Sequence, residues 1–341
     1  MTDKRKGALF APFKFILYII SLVYGAAIFT RGLLYKTGLF KSHEVPLRII
    51  SVGNLTLGGT GKTPFVITLS RMLKDELRKE AAILIRGYGW DEQAMLKKNL
   101  PDIPILVGED RVRSAGRAIK LYGTTAAVLD DGFQYWELER DLDIVLVDSR
   151  NPFGNRMLFP RGVMREPVSA IMRADVVIFT KVNKKRCDIE ALKSDLRRHK
   201  SSLVFIETYH RPKHLYDTRA RKELGLTSLS GKRVVLLSSI GDSAYFEETV
   251  KDQGAVVVEH IAFGDHHNYT NADRQRILKR CQERSFDFLV TTEKDAVKLT
   301  RMCLYFEDYN LMVLAVEMHI AQGREILIDR LRGLYNRQGV K

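Results

Sequence analysis

Short apolar runs rich in β-branched residues recur along the chain, each separated from the next by a longer stretch of mixed polar and apolar residues. They fall at 47–50, 81–85, 105–107, 126–129, 144–147, 176–179 and 204–206. Short strands alternating with helix-length segments predict a parallel sheet wrapped by helices. Residues 210–227 then lose periodicity and turn polar, which reads as a linker, with a turn at 228–232. A second series at 234–237, 255–258, 288–290 and 311–316 predicts a smaller α/β unit. Apolar Ile326, Ile328, Leu331 and Leu334 predict a closing helix over 323–335. The expected division is an N-terminal segment over 1–40, a larger α/β domain over 41–222 and a smaller one over 223–341.

The N-terminal segment is the most apolar part of the chain. Residues 15–30 carry no charge, with Lys14 and Arg31 at their ends and Lys4, Arg5 and Lys6 upstream. That run is shorter than the ~20 residues that span a bilayer core, and no Ala-x-Ala cleavage site follows it. The preferred reading is an interfacial helix or helical hairpin in one leaflet, its basic side chains on lipid phosphates. A buried helix of a soluble domain ranks second and a single spanning helix third.

At 341 residues the chain exceeds one ordinary hydrophobic core, which favours two domains. A formal charge of +14 suits nucleic acid, anionic lipid or a phosphorylated substrate. Its distribution points to an anionic membrane surface, because residues 1–50 hold eight Lys/Arg against two Asp/Glu beside the apolar run. The clusters Lys184-Lys185-Arg186 and Arg197-Arg198-His199-Lys200 belong to no recognisable nucleic-acid module, so they read as solvated helix faces and no nucleic acid partner is expected. Nothing indicates an obligate protein partner. Cys187, Cys281 and Cys303 are far apart with no C-x-x-C, which signals neither a disulfide framework nor a zinc site and fits a reducing compartment.

The most informative chemistry follows the first run. Val52-Gly53-Asn54-Leu55-Thr56-Leu57-Gly58-Gly59-Thr60-Gly61-Lys62-Thr63-Pro64 is a glycine-rich turn between a strand and a helix. Backbone N–H groups from Gly58 to Lys62 would cradle phosphates at the helix's positive end, Lys62 would reach the β/γ-phosphates, and Thr63 would ligate Mg²⁺. Thr56 stands where the usual G-x-x-x-x-G-K-[ST] pattern begins with glycine. Ala126-Ala127-Val128-Leu129-Asp130-Asp131 places two carboxylates at a strand end, where a nucleotide site of this P-loop kind needs a metal-side aspartate. Asp148 is a rival at the end of 144–147.

Three further segments are candidates. Arg86-Gly87-Tyr88-Gly89-Trp90-Asp91-Glu92 follows a strand, and Asp91 or Glu92 is either a general base or a solvated acid at a helix start. Asp265-His266-His267 lies on a loop; adjacent histidines point apart, which disfavours a shared metal, and a satisfied loop histidine is the first reading, with one histidine polarising a carboxylate the second. Thr292-Glu293-Lys294-Asp295-Ala296-Val297-Lys298 is a capping box or a site contact, and its sequence leaves both open.

Together these blocks, with Arg165-Glu166-Pro167 and Ile240-Gly241, resemble the tetraacyldisaccharide 4′-kinase family of lipid A biosynthesis over residues 15–300. The resemblance implies a P-loop NTPase-like α/β kinase with a second smaller α/β domain and a membrane-associated N-terminal helix. It implies transfer of the γ-phosphate of ATP to the 4′-hydroxyl of an acylated disaccharide 1-phosphate at the cytoplasmic face of the inner membrane. It further implies Asp91 as base with His266 beside it. Thr56, Leu57, Gly58, Gly59, Thr60, Gly61, Lys62 and Thr63 would bind the nucleotide, with Thr63, Asp130, Asp131 and Glu166 on the Mg²⁺ side. Trp90 and Tyr135 depart from the family's usual glycine and histidine. A P-loop kinase of another lipid-linked or soluble acceptor, and a nucleotide-gated membrane-surface binding protein, are the alternative readings.

Overall fold

The structure is a computed structural model and describes residues 11–87, 89–217, 222–300, 306 and 309–336. Lys4, Arg5, Lys6, Tyr88, Cys303 and positions 218–221 lie outside the described residues. The chain forms two compact units that are discontinuous in sequence. One gathers the described parts of 1–88, 100–209 and 320–341; the other gathers 89–99 and 210–319. The linear division at 222/223 differs from this, because the main stretch of the second unit already begins at His210. The segment 89–99 joins the second unit, and the chain after 319 returns to the first.

The first unit is built on a parallel sheet ordered β7-β6-β5-β1-β4-β2-β3. Its strands are β1 (Arg48–Asn54), β2 (Ala81–Ile85), β3 (Ile105–Val107), β4 (Ala126–Asp130), β5 (Leu142–Asp148), β6 (Val176–Thr180) and the start of β7 (Val204–Asp217). β2, β4 and β6 are buried at every position, as a sheet covered on both faces requires. Fully burying each Val, Leu or Ile contributes roughly 1.5–3 kcal/mol, which explains continuous apolar runs rather than alternation. Covering helices include α2 (Lys62–Arg71), α4 (Arg111–Tyr122) and α5 (Ile189–His199), with α9 (Arg324–Asn336) from the returning chain. α4 presents Ala115 and Ala118 to Leu84, Leu106 and Leu129, and Asp110 caps it by accepting from the Arg113 N–H.

The second unit contains a parallel run of strands ordered β10-β9-β11-β12. It comprises β9 (Arg233–Ser238), β10 (Val256–Ala262), β11 (Phe288–Thr292) and β12 (Leu311–Gln322). Around it lie α3 (Trp90–Asn99), α6 (Ser243–Lys251), α7 (Asn271–Gln282) and α8 (Glu293–Leu299). The expected linker is corrected here, because its first part continues β7 to Asp217 and pairs antiparallel with β8 (Glu223–Leu224). Charge pairs carry this polar strand: Arg211 and Lys213 meet Glu317, and His214 meets Glu223.

α1 (Ala11–Lys36) is one uninterrupted helix, so the hairpin reading is also corrected. Its 26 residues would extend about 39 Å, beyond a hydrocarbon core of roughly 30 Å. By length and composition it is long and apolar enough to cross a membrane. Of residues 12–36 only Ser21 is buried, which removes the reading of a soluble core helix. Its contacts within the first unit include aromatic ones: Tyr24 meets the edge of Phe159, and Tyr35 meets Trp136.

Candidate active site

β1 carries Ile49, Ile50 and Val52 into the core and delivers Gly53 and Asn54 to the carboxyl edge of the first sheet. Gly53 is dictated by a close approach, since a Cβ there would lie 2.6 Å from the Cβ of Phe133. The loop's entry is tied down by a Thr56–Met164 bridge and by the Leu57 N–H donating to the Val163 carbonyl at 2.7 Å. Gly58 and Gly61 take φ of +108° and +87°, conformations that favour glycine. Gly61 is the N-cap of α2, and no side chain caps this helix start, so its first N–H groups face the loop as an anion site requires. Lys62 Nζ donates to Asn54 Oδ1 at 3.3 Å, and the Asn54 amide donates to Thr60 Oγ1 at 2.9 Å. The cradle and its lysine are thus braced by Asn54.

β4 lies beside β1 with Val52 opposite Asp130, so the strand's end opens next to the cradle. Asp130 is buried, and its carbonyl accepts from Arg111 at 3.2 Å. Asp131 has a left-handed φ of 54°, and a side chain held there is usually over-determined by its surroundings. Arg165 supplies that by donating to both carboxylate oxygens at 2.9 and 2.8 Å, while Lys62 Nζ stands 3.6 Å away. Burial pushes the Asp131 carboxyl up, but Lys62 and Arg165 outweigh it and hold it below the ordinary aspartate range. Glu166 is buried in a two-pronged pair with Arg173 at 2.7 and 3.0 Å, and that guanidinium stacks on Phe133 and Trp136. The rival Asp148 is committed elsewhere, to Lys181 at 2.5 Å and to the Arg150 N–H. Among the described residues no three acidic, histidine or cysteine side chains are grouped to hold a metal alone.

The acid–base candidates assemble within the second unit. Asp91, in the first turn of α3, is 2% exposed, and its Oδ2 has no hydrogen-bond partner. Three cationic or titratable groups stand around that oxygen: Lys298 Nζ at 3.3 Å, His266 Nδ1 at 3.8 Å and Lys294 Nζ at 3.9 Å. The 3.3 Å approach is an ion pair without hydrogen-bond alignment. His266 is half exposed and sits at a left-handed φ of 57°. Its neighbour His267 turns away, stacks on Phe263 and pairs with Asp273 at 2.9 Å, as adjacent loop histidines should. Glu92 meets Lys294 at 3.6 Å rather than joining the Oδ2 cluster.

The segment 292–298 turns out to be both cap and contact. Thr292 caps α8 by accepting from the Asp295 N–H, while Lys294 and Lys298, four residues apart, share the face that meets Asp91. These lysines, with Asn54 as a brace, were not singled out from the sequence. The i, i+4 spacing of Lys294 and Lys298 was the available signal. Arg165, which the sequence offers as part of the Arg165-Glu166-Pro167 block, is found on Asp131.

A glycine cradle with its lysine, paired strand-end carboxylates and a buried aspartate with an open oxygen define a P-loop phosphotransferase. Comparison with known proteins narrows this. The model of the tetraacyldisaccharide-1-P 4′-kinase family (LpxK) matches residues 13–91 and 90–333. The tetraacyldisaccharide 4′-kinase of Syntrophus aciditrophicus is 37% identical over 322 residues, covering 86% of each chain. That of Halothermothrix orenii is 34% identical over 343 residues, covering 90% of this chain and 89% of its own. A crystal structure of LpxK from Aquifex aeolicus in complex with ATP matches with a TM-score of 0.73 at 26% identity, covering 95% of this chain and 99% of that one. The chain belongs to the tetraacyldisaccharide-1-P 4′-kinase family.

Proposed function

We propose that Asp91 is the general base through which this chain phosphorylates a lipid-linked sugar. The chain is an ATP-dependent tetraacyldisaccharide 4′-kinase of lipid A synthesis, which moves the γ-phosphate of ATP to the 4′-hydroxyl of tetraacyldisaccharide 1-phosphate. The observation that carries the base assignment is the Asp91 Oδ2 atom, buried and without a hydrogen bond. A carboxylate left open in this way is ready to accept the hydroxyl's proton, and His266 beside it orients it.

Phosphoryl transfer asks for positioning and charge stabilisation more than for covalent chemistry. The loop from Thr56 to Thr63 binds the triphosphate, and Lys62 offsets the charge on the transferring group. Thr63, Asp130 and Asp131 are hard oxygen donors that fit Mg²⁺, a metal held by one or two carboxylates together with substrate phosphates. Glu166 joins that set only by loosening its fork with Arg173. When bound, Mg²⁺ supplies neutralisation of the phosphate oxygens.

The exposed α1 and the basic N-terminal region support attachment to an anionic membrane surface, at the cytoplasmic face of the inner membrane, where the acyl chains of the substrate can remain in lipid. One assay tests the whole reading: labelled ATP, Mg²⁺ and tetraacyldisaccharide 1-phosphate in detergent micelles, with sedimentation on anionic vesicles alongside. Label at the 4′ position, and loss of vesicle binding on removal of residues 1–36, are expected. An unlabelled lipid would overturn the function, and full vesicle binding by the shortened chain would overturn the anchor.

A further inference from the structure

Two buried carboxylates meet Lys298, and they are treated in opposite ways. Asp295 is fully buried and saturated. It accepts from the Ser239 N–H at 2.9 Å, the Ser239 hydroxyl, the Tyr269 hydroxyl at 3.2 Å and Thr292 Oγ1 at 2.8 Å. Asp91 Oδ2 has no hydrogen bond at all. Between them lies Lys298, 8% exposed, whose Nζ donates to Ser239 Oγ at 2.9 Å and stands 3.3 Å from Asp91 Oδ2 and 4.0 Å from Asp295 Oδ1. Ser239 relays the anchor: its hydroxyl accepts from Lys298 and donates to Asp295. The saturated carboxylate therefore fixes the serine, the serine fixes the ammonium, and the ammonium faces the open oxygen.

We infer that Lys298 is a positioning residue for Asp91: a buried ammonium, braced by Ser239 and Asp295, that holds the base aimed while leaving its Oδ2 free of a hydrogen bond. This rests on Asp91 being the base. The surroundings support a division of labour. His266 and Lys294 face the same oxygen from farther away; both are more exposed, and they are also shared with Asp265, which Lys294 approaches at 3.4 Å and His266 at 3.8 Å. Glu92, on the same helix as Asp91, draws on Lys294 as well. Lys298 is the buried cation of this group, and it makes the shortest approach to Asp91 Oδ2.

The test is a kinetic cycle on the full chain in micelles with Lys298→Met, Asp91→Asn and the double variant, measured from pH 5.5 to 9. Lys298→Met is expected to lower kcat about 10- to 100-fold, as a misaimed catalytic group does. KM for ATP should stay within about threefold, and Lys298→Arg, which keeps a cation beside the base, should recover part of kcat. In the Asp91→Asn background the same change should add little, since residues acting as a unit are non-additive. Because Lys298→Met could disturb folding, Ser239→Ala, which keeps the ammonium and removes its brace, should show a smaller loss of kcat. An unchanged kcat in both Lys298→Met and Ser239→Ala, or a Lys298 effect that persists undiminished without Asp91, would overturn the inference. Full activity in Asp91→Asn alone would overturn the base assignment instead.

Discussion

The proposed phosphate half of the chemistry and its proposed acid–base half are built on opposite plans. In the first unit, the cradle is one continuous stretch from Gly53 to Thr63, and its charged groups are matched: Asp131 is gripped by Arg165 and faced by Lys62. In the second, Asp91 comes from α3, His266 from a loop, Lys294 and Lys298 from α8, and the key oxygen is left without a hydrogen bond. A phosphate cradle must present donors to an anion and can be satisfied beforehand. A base must keep an acceptor open, which is stable only when the burial of a charge is offset by nearby cations.

The first way to break this contrast is at Lys62. Lys62→Met should lower kcat/KM for ATP by roughly 10²–10³-fold, in line with loss of one charge-stabilising donor. Equilibrium nucleotide binding should weaken with it, measured by calorimetry. If binding were unchanged, the cradle would not depend on its lysine.

Next comes the packing under the cradle. Gly53→Ala would push a methyl group to 2.6 Å from Phe133 Cβ, and overpacking of this kind costs about 1–3 kcal/mol. A drop of a few degrees in thermal midpoint is expected, with a raised KM for ATP. An unchanged midpoint would show that Phe133 yields freely.

The smallest effect concerns Glu293, in the second unit. Burial pushes its carboxyl above the ordinary glutamate range, against the Val316 N–H and the positive charges of Lys98, His214 and Lys213. A raised folded value means that its contribution to stability is present below the unfolded pKa of about 4.3 and is lost as pH rises through the folded one. Glu293→Gln should therefore raise the thermal midpoint at pH 8 more than at pH 4.5. Equal changes at both would remove the buried charge from the account.

The same contrast explains what could be read in advance. The cradle was legible because its chemistry is local: glycine, lysine and threonine at fixed offsets between a strand and a helix. Asp130 and Asp131 were legible because an apolar run ended on them. The acid–base cluster was visible only as fragments, since spacing within a chain says nothing about which distant loop and helix will meet. α3 is the extreme case, with flanking residues in one unit and its body in the other. The polar end of β7 was hidden because paired charges at Arg211, Lys213 and His214 replace the apolar alternation that marks a strand. α1 was underestimated because Lys14 and Arg31 bounded the uncharged run, whereas the helix continues through both.

The most direct measurement separates the two halves in one protein. For Asp91→Asn, nucleotide affinity and lipid phosphorylation are determined on the same sample in micelles. The account predicts ATP binding within a few-fold of wild type and a kcat lowered about 10²–10⁴-fold, the range of a general base. Turnover equal to wild type would contradict it.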